Sequence, residues 1–265
     1  MTEQELMLTH LLDCRRVDLV VDPPALSDAQ TSQLRHMESR RGKGEPLQYI
    51  LGECEFMGLT LKVDPRVLIP RPETEMLVEA ALAKLKQLKS KNLKILDIGS
   101  GSGNIAICLA KNLLGCEITS VDISPPALEM AAANALKHEV NDRITFLKSD
   151  VFEGLRERSS ILDQFDMIVS NPPYVPAPRL SDLPLEVQKE PMLALDGGAD
   201  GLDFYRRIIP ESIFYLKPGG YLVLEIGEEQ GPAIQEIFER SSRFVNVHCQ
   251  KDYSHKDRIM TAELK

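Results

Sequence analysis

The sequence predicts an α/β protein: a seven-stranded, mostly parallel sheet that ends in an antiparallel hairpin and is preceded by a small helical domain. Three observations carry this. Five short, nearly continuous apolar segments (94–99, 117–123, 144–150, 165–171 and 221–227) alternate with stretches of helical character. Strands apolar on both faces imply a parallel sheet with helices on each side. Two more strand-like segments, 243–250 and 258–264, close the chain with only a polar turn between them. That leaves no room for a crossover helix, so they pair antiparallel. Ahead of all these, residues 1–45 set Leu6, Leu8, Leu11, Leu12, Leu19 and Val20 at helical spacing.

Within the helical domain, 1–45, Pro23 and Pro24 break the first tract and Ser27 is placed to cap the next helix. The basic stretch at 39–45, Ser-Arg-Arg-Gly-Lys-Gly-Glu, reads as a solvated loop. From 46 to 69 the pattern changes to alternation. Phe56, Leu59, Leu61 and Val63 around Gly58 predict a β-hairpin linking two domains. The larger domain, 70–265, opens with an amphipathic helix over Glu73–Lys89, with Pro72 suited to its first position.

Composition narrows the function. Of 265 residues 43% are hydrophobic and 27% charged, ordinary for a globular protein and too apolar for a disordered one. No apolar run approaches the ~18 residues of a membrane span, and the acidic opening lacks the basic and apolar blocks of a leader, so a cytoplasmic protein is expected. Five scattered cysteines without a CxxC and five histidines without HExxH argue against a metal site. A net charge of −9 disfavours nucleic acid as a partner, since phosphate binding draws on a basic face.

Chemistry concentrates at the carboxyl ends of the strands. Asp97 ends the first strand of the larger domain, and Gly99, Ser100, Gly101, Ser102 and Gly103 lead into a helix. Glycines allow a sharp turn and close approach to a ligand, and a helix N-terminus offers unpaired N–H groups. The stretch fits the dinucleotide fingerprint from Gly101 onward, and with the preceding glycine pair it is more similar to motif I of S-adenosylmethionine (SAM) methyltransferases. Asp122, nineteen residues after Gly103, ends the second strand, where a carboxylate can accept both ribose hydroxyls in either family. Asp150 ends the third, placed to accept from an adenine amino group, with Val151 packing on the ring. A terminal hairpin on a parallel sheet resembles the Rossmann-like class I methyltransferases, whereas the NAD-binding sheet keeps its strands parallel.

The fourth strand stops on Asn171-Pro172-Pro173-Tyr174. Consecutive prolines cannot donate to a ladder, so the strand must end there. In the methyltransferase strand order, this end borders the crevice where strand order reverses. The Asn171 side-chain oxygen and a carbonyl of the Pro-Pro segment are two preset acceptors for one planar NH₂, and Tyr174 offers a flat face. Such a clamp suits methylation of an exocyclic base amine or of a glutamine side chain.

Further segments separate these substrates. Residues 48–75, 171–176, 190–209 and 216–231 together resemble the release-factor glutamine N5-methyltransferases, the HemK/PrmC family. The resemblance implies methyl transfer from SAM to the glutamine of the Gly-Gly-Gln motif in class 1 peptide chain release factors. It further implies that Gly99–Gly103, Asp122, Val151 and Asn171 contact SAM, that Asn171–Tyr174 hold the glutamine amide, and that the helical domain helps dock the substrate. Arg71, Glu73 and Thr74 are second-tier candidates beside the cofactor. A monomer is expected, with neither DNA nor membrane as a partner. The chain departs from the family at Ser254-His255-Lys256, where a glycine-containing turn is usual, and at Val151, where a larger side chain is common. A DNA adenine methyltransferase would need to flip its base and grip a duplex, and no target-recognition domain is evident. A SAM-binding scaffold without turnover would have no use for Asn171, Pro172 and Tyr174, nor would a dehydrogenase.

Overall fold

Thr2 and Ser27 each begin a helix through a reciprocal cap. The Thr2 hydroxyl accepts from the Glu5 N–H at 3.1 Å while the Glu5 carboxylate accepts from the Thr2 N–H at 2.8 Å, and Ser27 exchanges the same pair with Gln30. The computed structural model describes residues 2–21, 25–88, 90, 92–158 and 164–265; Pro23, Pro24 and Lys89 lie outside them. Helices α1 (Glu3–Leu12), α2 (Arg16–Val21), α3 (Asp28–Gly42) and α4 (Leu47–Leu51) come first. Met7, Leu34, Met37, Leu47 and Ile50 form their shared core, so α4, past the sequence boundary at 45, packs with the helices before it.

The basic stretch corrects an expectation. Arg40 and Arg41 lie in the last turn of α3 rather than in a solvated loop. Arg40 forms a forked pair with Glu45, at 2.8 and 2.5 Å, and Arg41 bridges Glu3 of α1 and Glu186 of the larger domain, both at 2.7 Å. Their role is to fasten helices, because each guanidinium finds carboxylates within reach once the chain folds back.

Strands β1 (Glu53–Phe56) and β2 (Leu59–Lys62) form the expected hairpin, with Phe56 opposite Leu59. Met57 and Gly58 both take positive φ, as a two-residue turn matched to strand twist requires. Helix α5 (Pro72–Leu85) starts at its proline and stops short of the predicted end. Leu85 is its last buried position before exposed Lys86 and Gln87.

The remaining elements are β3 (Leu93–Ile98), α6 (Asn104–Asn112), β4 (Cys116–Asp122), α7 (Pro125–Lys137), β5 (Ile144–Lys148), α8 (Glu153–Arg158), β6 (Phe165–Ser170), α9 (Asp203–Ser212), β7 (Leu216–Glu225), α10 (Gly231–Ser241), β8 (Phe244–Lys251) and β9 (Asp257–Leu264). The seven-stranded sheet runs β5-β4-β3-β6-β7-β9-β8, parallel through β7 and antiparallel at both β9 contacts. Strand order therefore reverses between β3 and β6, which lie side by side. One face packs Leu77, Val78 and Leu109 from α5 and α6, and the other packs Tyr205, Ile208, Ile234 and Phe238 from α9 and α10. Without a glycine, the β8–β9 turn sets His255 at φ 62° and ties itself to the Asp252 carboxylate, which accepts from the N–H groups of Ser254 and Lys256.

Candidate active site

Beyond the carboxyl ends of β3, β4, β5 and β6 lies a cavity of about 240 Å³. Gly99, Gly101, Ser102, Asp122, Asp150, Val151, Asn171, Pro172 and Pro173 line it, together with Arg71 and Thr74 from the head of α5. Of the sequence candidates, Ser100, Gly103, Glu73 and Tyr174 are not on its wall. Ser100 is buried beneath the loop, sharing a hydroxyl hydrogen bond with Ser120 at 2.6 Å. Gly103 begins α6 at φ +84°, and a Cβ there would meet Ala131 of α7 at 3.1 Å. Its missing side chain lets the two helices approach.

The glycine loop is fastened through its backbone. The N–H groups of Gly99 and Ser100 both donate to the Val121 carbonyl, at 2.8 and 2.9 Å, and Gly101 N–H donates to Asp122 Oδ2 at 2.9 Å. Asp122 Oδ1 accepts from the Ser124 N–H at 2.9 Å. Burial pushes its carboxyl up, and the backbone N–H groups of Gly101, Ser124 and Ile123 oppose that. Gly101 has φ +51°, and no atom lies within 4 Å of where its Cβ would stand, so a side chain there would project into open space on the cavity wall. Beneath, Asp97 accepts from the Ser120 hydroxyl at 2.7 Å, and its Oδ1 has no hydrogen-bond partner among the described residues. Burial pushes this carboxyl up to about 7.

Asp150 meets Arg207 of α9, which donates to Oδ1 at 2.7 Å. Val151 follows at φ +51°, buried, and Arg207 lies over the Phe204 ring at 5.7 Å. Phe204 and Arg207 join the cavity wall, although sequence reasoning passed over both.

At the other end, Asn171 leaves β6 with its Nδ2 donating to the Thr74 hydroxyl at 3.1 Å. Pro172 is buried and Tyr174 packs half-buried on the core, where desolvation drives its phenol well above its ordinary value. The segment after Tyr174 is pinned from outside. Val175 N–H donates to Leu195 O at 3.0 Å and Gly197 N–H to Val175 O at 2.9 Å, while Gln230 Nε2 reaches the Tyr174 carbonyl at 3.1 Å. A Cβ on Gly197 would stand 2.8 Å from Tyr174 Cα, and one on Gly201 2.4 Å from Tyr174 O. Only glycine permits these approaches.

Glu190 was also missed. Buried, it accepts from the Ile69 N–H at 3.0 Å and pairs with the Arg71 guanidinium, setting that side chain at the cavity edge. Tyr49 of α4 donates to the Val67 carbonyl at 2.6 Å and so couples the helical domain to another wall residue. An acid inside an otherwise apolar run was the available signal for Glu225, whose neighbours are described below.

Known proteins resemble this chain in sequence and in fold. Residues 89–261 match the family described as a methyltransferase domain, and residues 2–52 the PrmC N-terminal domain. The release factor glutamine methyltransferase of Geobacter sulfurreducens is 42% identical over 261 residues, covering 97% of this chain and 87% of that protein. Its namesake from Moorella thermoacetica is 43% identical over 237 residues, covering 89% and 81%. A methyltransferase structure from Pyrococcus furiosus, 17% identical, superposes with a TM-score of 0.54 over 90% of this chain and 99% of that one, a likeness of fold.

Proposed function

The chain belongs to the release factor glutamine methyltransferases, and from that premise we propose how its cavity performs the reaction. SAM would bind along the β4 side and the glutamine side chain of a class 1 release factor would enter at the β6 side. One observation carries the reading: Asn171, Pro172 and Pro173 line the same cavity as Gly99, Gly101 and Asp122, where strand order reverses.

The wall fits the cofactor. Asp122 keeps acceptor capacity beyond its backbone N–H partners for a ribose hydroxyl. The bare backbone at Gly101 permits close approach, and Ile123 and Val151 offer an apolar surface to a purine, with Asp150 at its rim. SAM, when bound, supplies a methyl group already activated on a sulfonium.

This chain's own residues have the task of alignment. With Nδ2 engaged by Thr74, Asn171 keeps its Oδ1 for one hydrogen of the target amide. A carbonyl of the rigid Pro172-Pro173 segment takes the other. These acceptors draw electron density toward the nitrogen and hold it in line for displacement, and orientation supplies much of the acceleration. Tyr174, packed on the core, supports the segment from behind. The alkylated nitrogen sheds its proton readily, so a strong base is not needed.

The helical domain, fastened by Arg41 to Glu186 of the larger domain, is suited to docking the release factor. Exposed Met192 and Leu193 beside the opening offer it apolar contact. No described helix is long and apolar enough to cross a membrane; a peptide chain release factor as substrate is what supports the cytoplasm as the place of reaction.

The test is methyl transfer from labelled SAM to a purified class 1 release factor, with duplex DNA in a parallel tube and peptide mass spectrometry. One methyl on the Gly-Gly-Gln glutamine is expected. Label in the DNA alone would overturn the reading.

A further inference from the structure

Glu225 is an acid at the end of β7, 1% exposed, with an Oε2 that finds no hydrogen-bond partner among the described residues. A buried carboxyl in an apolar strand is costly unless it is bonded. Strand register explains its company. Ser170 pairs with Leu224, so the next residues, Asn171 and Glu225, stand side by side on parallel strands. The pleat turns both toward the face carrying Met167, Val169, Tyr221 and Val223, which α5 covers. There the first turn of α5 places Thr74, itself 1% exposed. Its hydroxyl accepts from Asn171 Nδ2 at 3.1 Å, and both side chains stand close enough to the Glu225 carboxyl to favour its ionised form.

We propose that Glu225 is a positioning residue that sets which way round the Asn171 amide stands, holding its NH₂ inward and its oxygen toward the cavity. The inference rests on the methyl transfer assigned above to Asn171. An asparagine amide fits its site in two orientations that exchange oxygen and nitrogen, and only one presents an acceptor to the incoming NH₂. Thr74 alone cannot choose, because a hydroxyl both donates and accepts. An ionised carboxylate only accepts. By taking the Thr74 proton it turns that hydroxyl into an acceptor for Asn171, and by accepting from Asn171 directly it rejects the flipped amide, whose oxygen would then face an anion.

Burial pushes the Glu225 carboxyl up to about 7, against the nearby Thr74 hydroxyl and the charge of Arg258. Once protonated it can donate and tolerates the flipped amide, so positioning belongs to the ionised form. The other groups acting on it are Glu73 of α5, Tyr174 after β6, and Tyr205 of α9, whose phenol donates to the Glu225 backbone carbonyl at 2.9 Å.

The experiment compares wild type with Glu225→Leu, Glu225→Gln and Thr74→Val, using SAM and a class 1 release factor from about pH 6 to about pH 8. Glu225→Leu is expected to lower kcat roughly 10²-fold with both KM values near wild type, the signature of misplacement rather than lost binding. Glu225→Gln, which keeps an acceptor oxygen, is expected to recover part of that loss and to remove the rise of kcat near pH 7. Thr74→Val should lower kcat in the same direction, and it carries the decision if Glu225→Leu does not fold. A wild-type kcat in Thr74→Val and Glu225→Leu, or an unchanged pH profile in Glu225→Gln, overturns the proposal. Exchange of the Asn171 side-chain NH₂ protons, followed by nuclear magnetic resonance and compared with a free amide at the same pH, reads the orientation without turnover: protected in wild type at about pH 8, and unprotected in Glu225→Leu and in Thr74→Val. If wild type methylates no release factor yet shows this protection, the proposed function fails and the positioning role stands; fast exchange in wild type sinks the role.

Discussion

The two ends of the cavity are held by different means. At the β4 end the backbone does the work: Gly99, Ser100 and Gly101 donate to Val121 and Asp122 across one strand gap. At the β6 end side chains converge from distant elements, with Thr74 from α5, Asn171 after β6 and Glu225 from β7. A backbone-built site persists while its φ values can be reached. A site built from side chains depends on each partner and on its protonation, and so breaks at single atoms.

The sharpest break should be Asn171→Ala. It removes the acceptor and leaves the glycine loop untouched, so kcat should fall by roughly 10³-fold, the scale for losing a preorganised polar contact to the transition state, while calorimetry still detects SAM binding. Equal single-turnover rates in wild type and variant would sink the clamp. At the other end Asp122→Ala should act on cofactor affinity first, raising the SAM Kd by roughly 10- to 100-fold, about one charge-assisted hydrogen bond. A variant that binds SAM normally but turns over slowly would erase the division between the two ends.

Gly103→Ala tests the backbone-built end through stability. Its φ of +84° and the Ala131 contact at 3.1 Å predict a loss of about 1–2 kcal/mol in urea unfolding, the scale of left-handed strain. An unchanged midpoint would show that α6 and α7 can part at no cost. The protonation dependence should appear as a slope. Asp97 and Glu225 are both raised to about 7, so between the ordinary carboxylate range and that value the folded chain keeps protons that the unfolded chain has released. Stability should then decline as pH rises through this window. Glu225→Gln should flatten part of the decline, as thermal melts across the window will register. Smallest is Arg41→Ala. Its pairs with Glu3 and Glu186 are partly exposed, so the loss should be under ~1 kcal/mol, with a clearer change in KM for the release factor.

Much of this was legible along the chain. The βα alternation and terminal hairpin are periodic features of short windows, and the glycine loop is a local pattern whose spacing survives folding. The Asn-Pro-Pro-Tyr stretch announced a strand end with acceptors preset. Tyr174 read as a contact surface, yet its ring packs on the core outside the cavity wall, because where a ring lies after two prolines depends on what packs behind it. Arg40 and Arg41 read as solvated because their carboxylate partners lie in α1, in the turn after α3 and past β6. Glu190, Phe204 and Arg207 carry no pattern of their own; Phe204 and Arg207 join the wall and Glu190 stands behind Arg71 once Gly197 and Gly201 let the segment between them fold against Tyr174.

By itself the sequence determined the sheet, its terminal hairpin and the two chemical stretches at strand ends, since each follows from residue types a few positions apart. Only the tertiary structure decided which side chains stand behind those stretches. The hydrogen bond from Asn171 to Thr74 and the place of Glu225 beside them join residues far apart in the chain, and they depend on register and on the angle at which α5 crosses the sheet. Neither is written in any short stretch, because both emerge from packing the whole core at once.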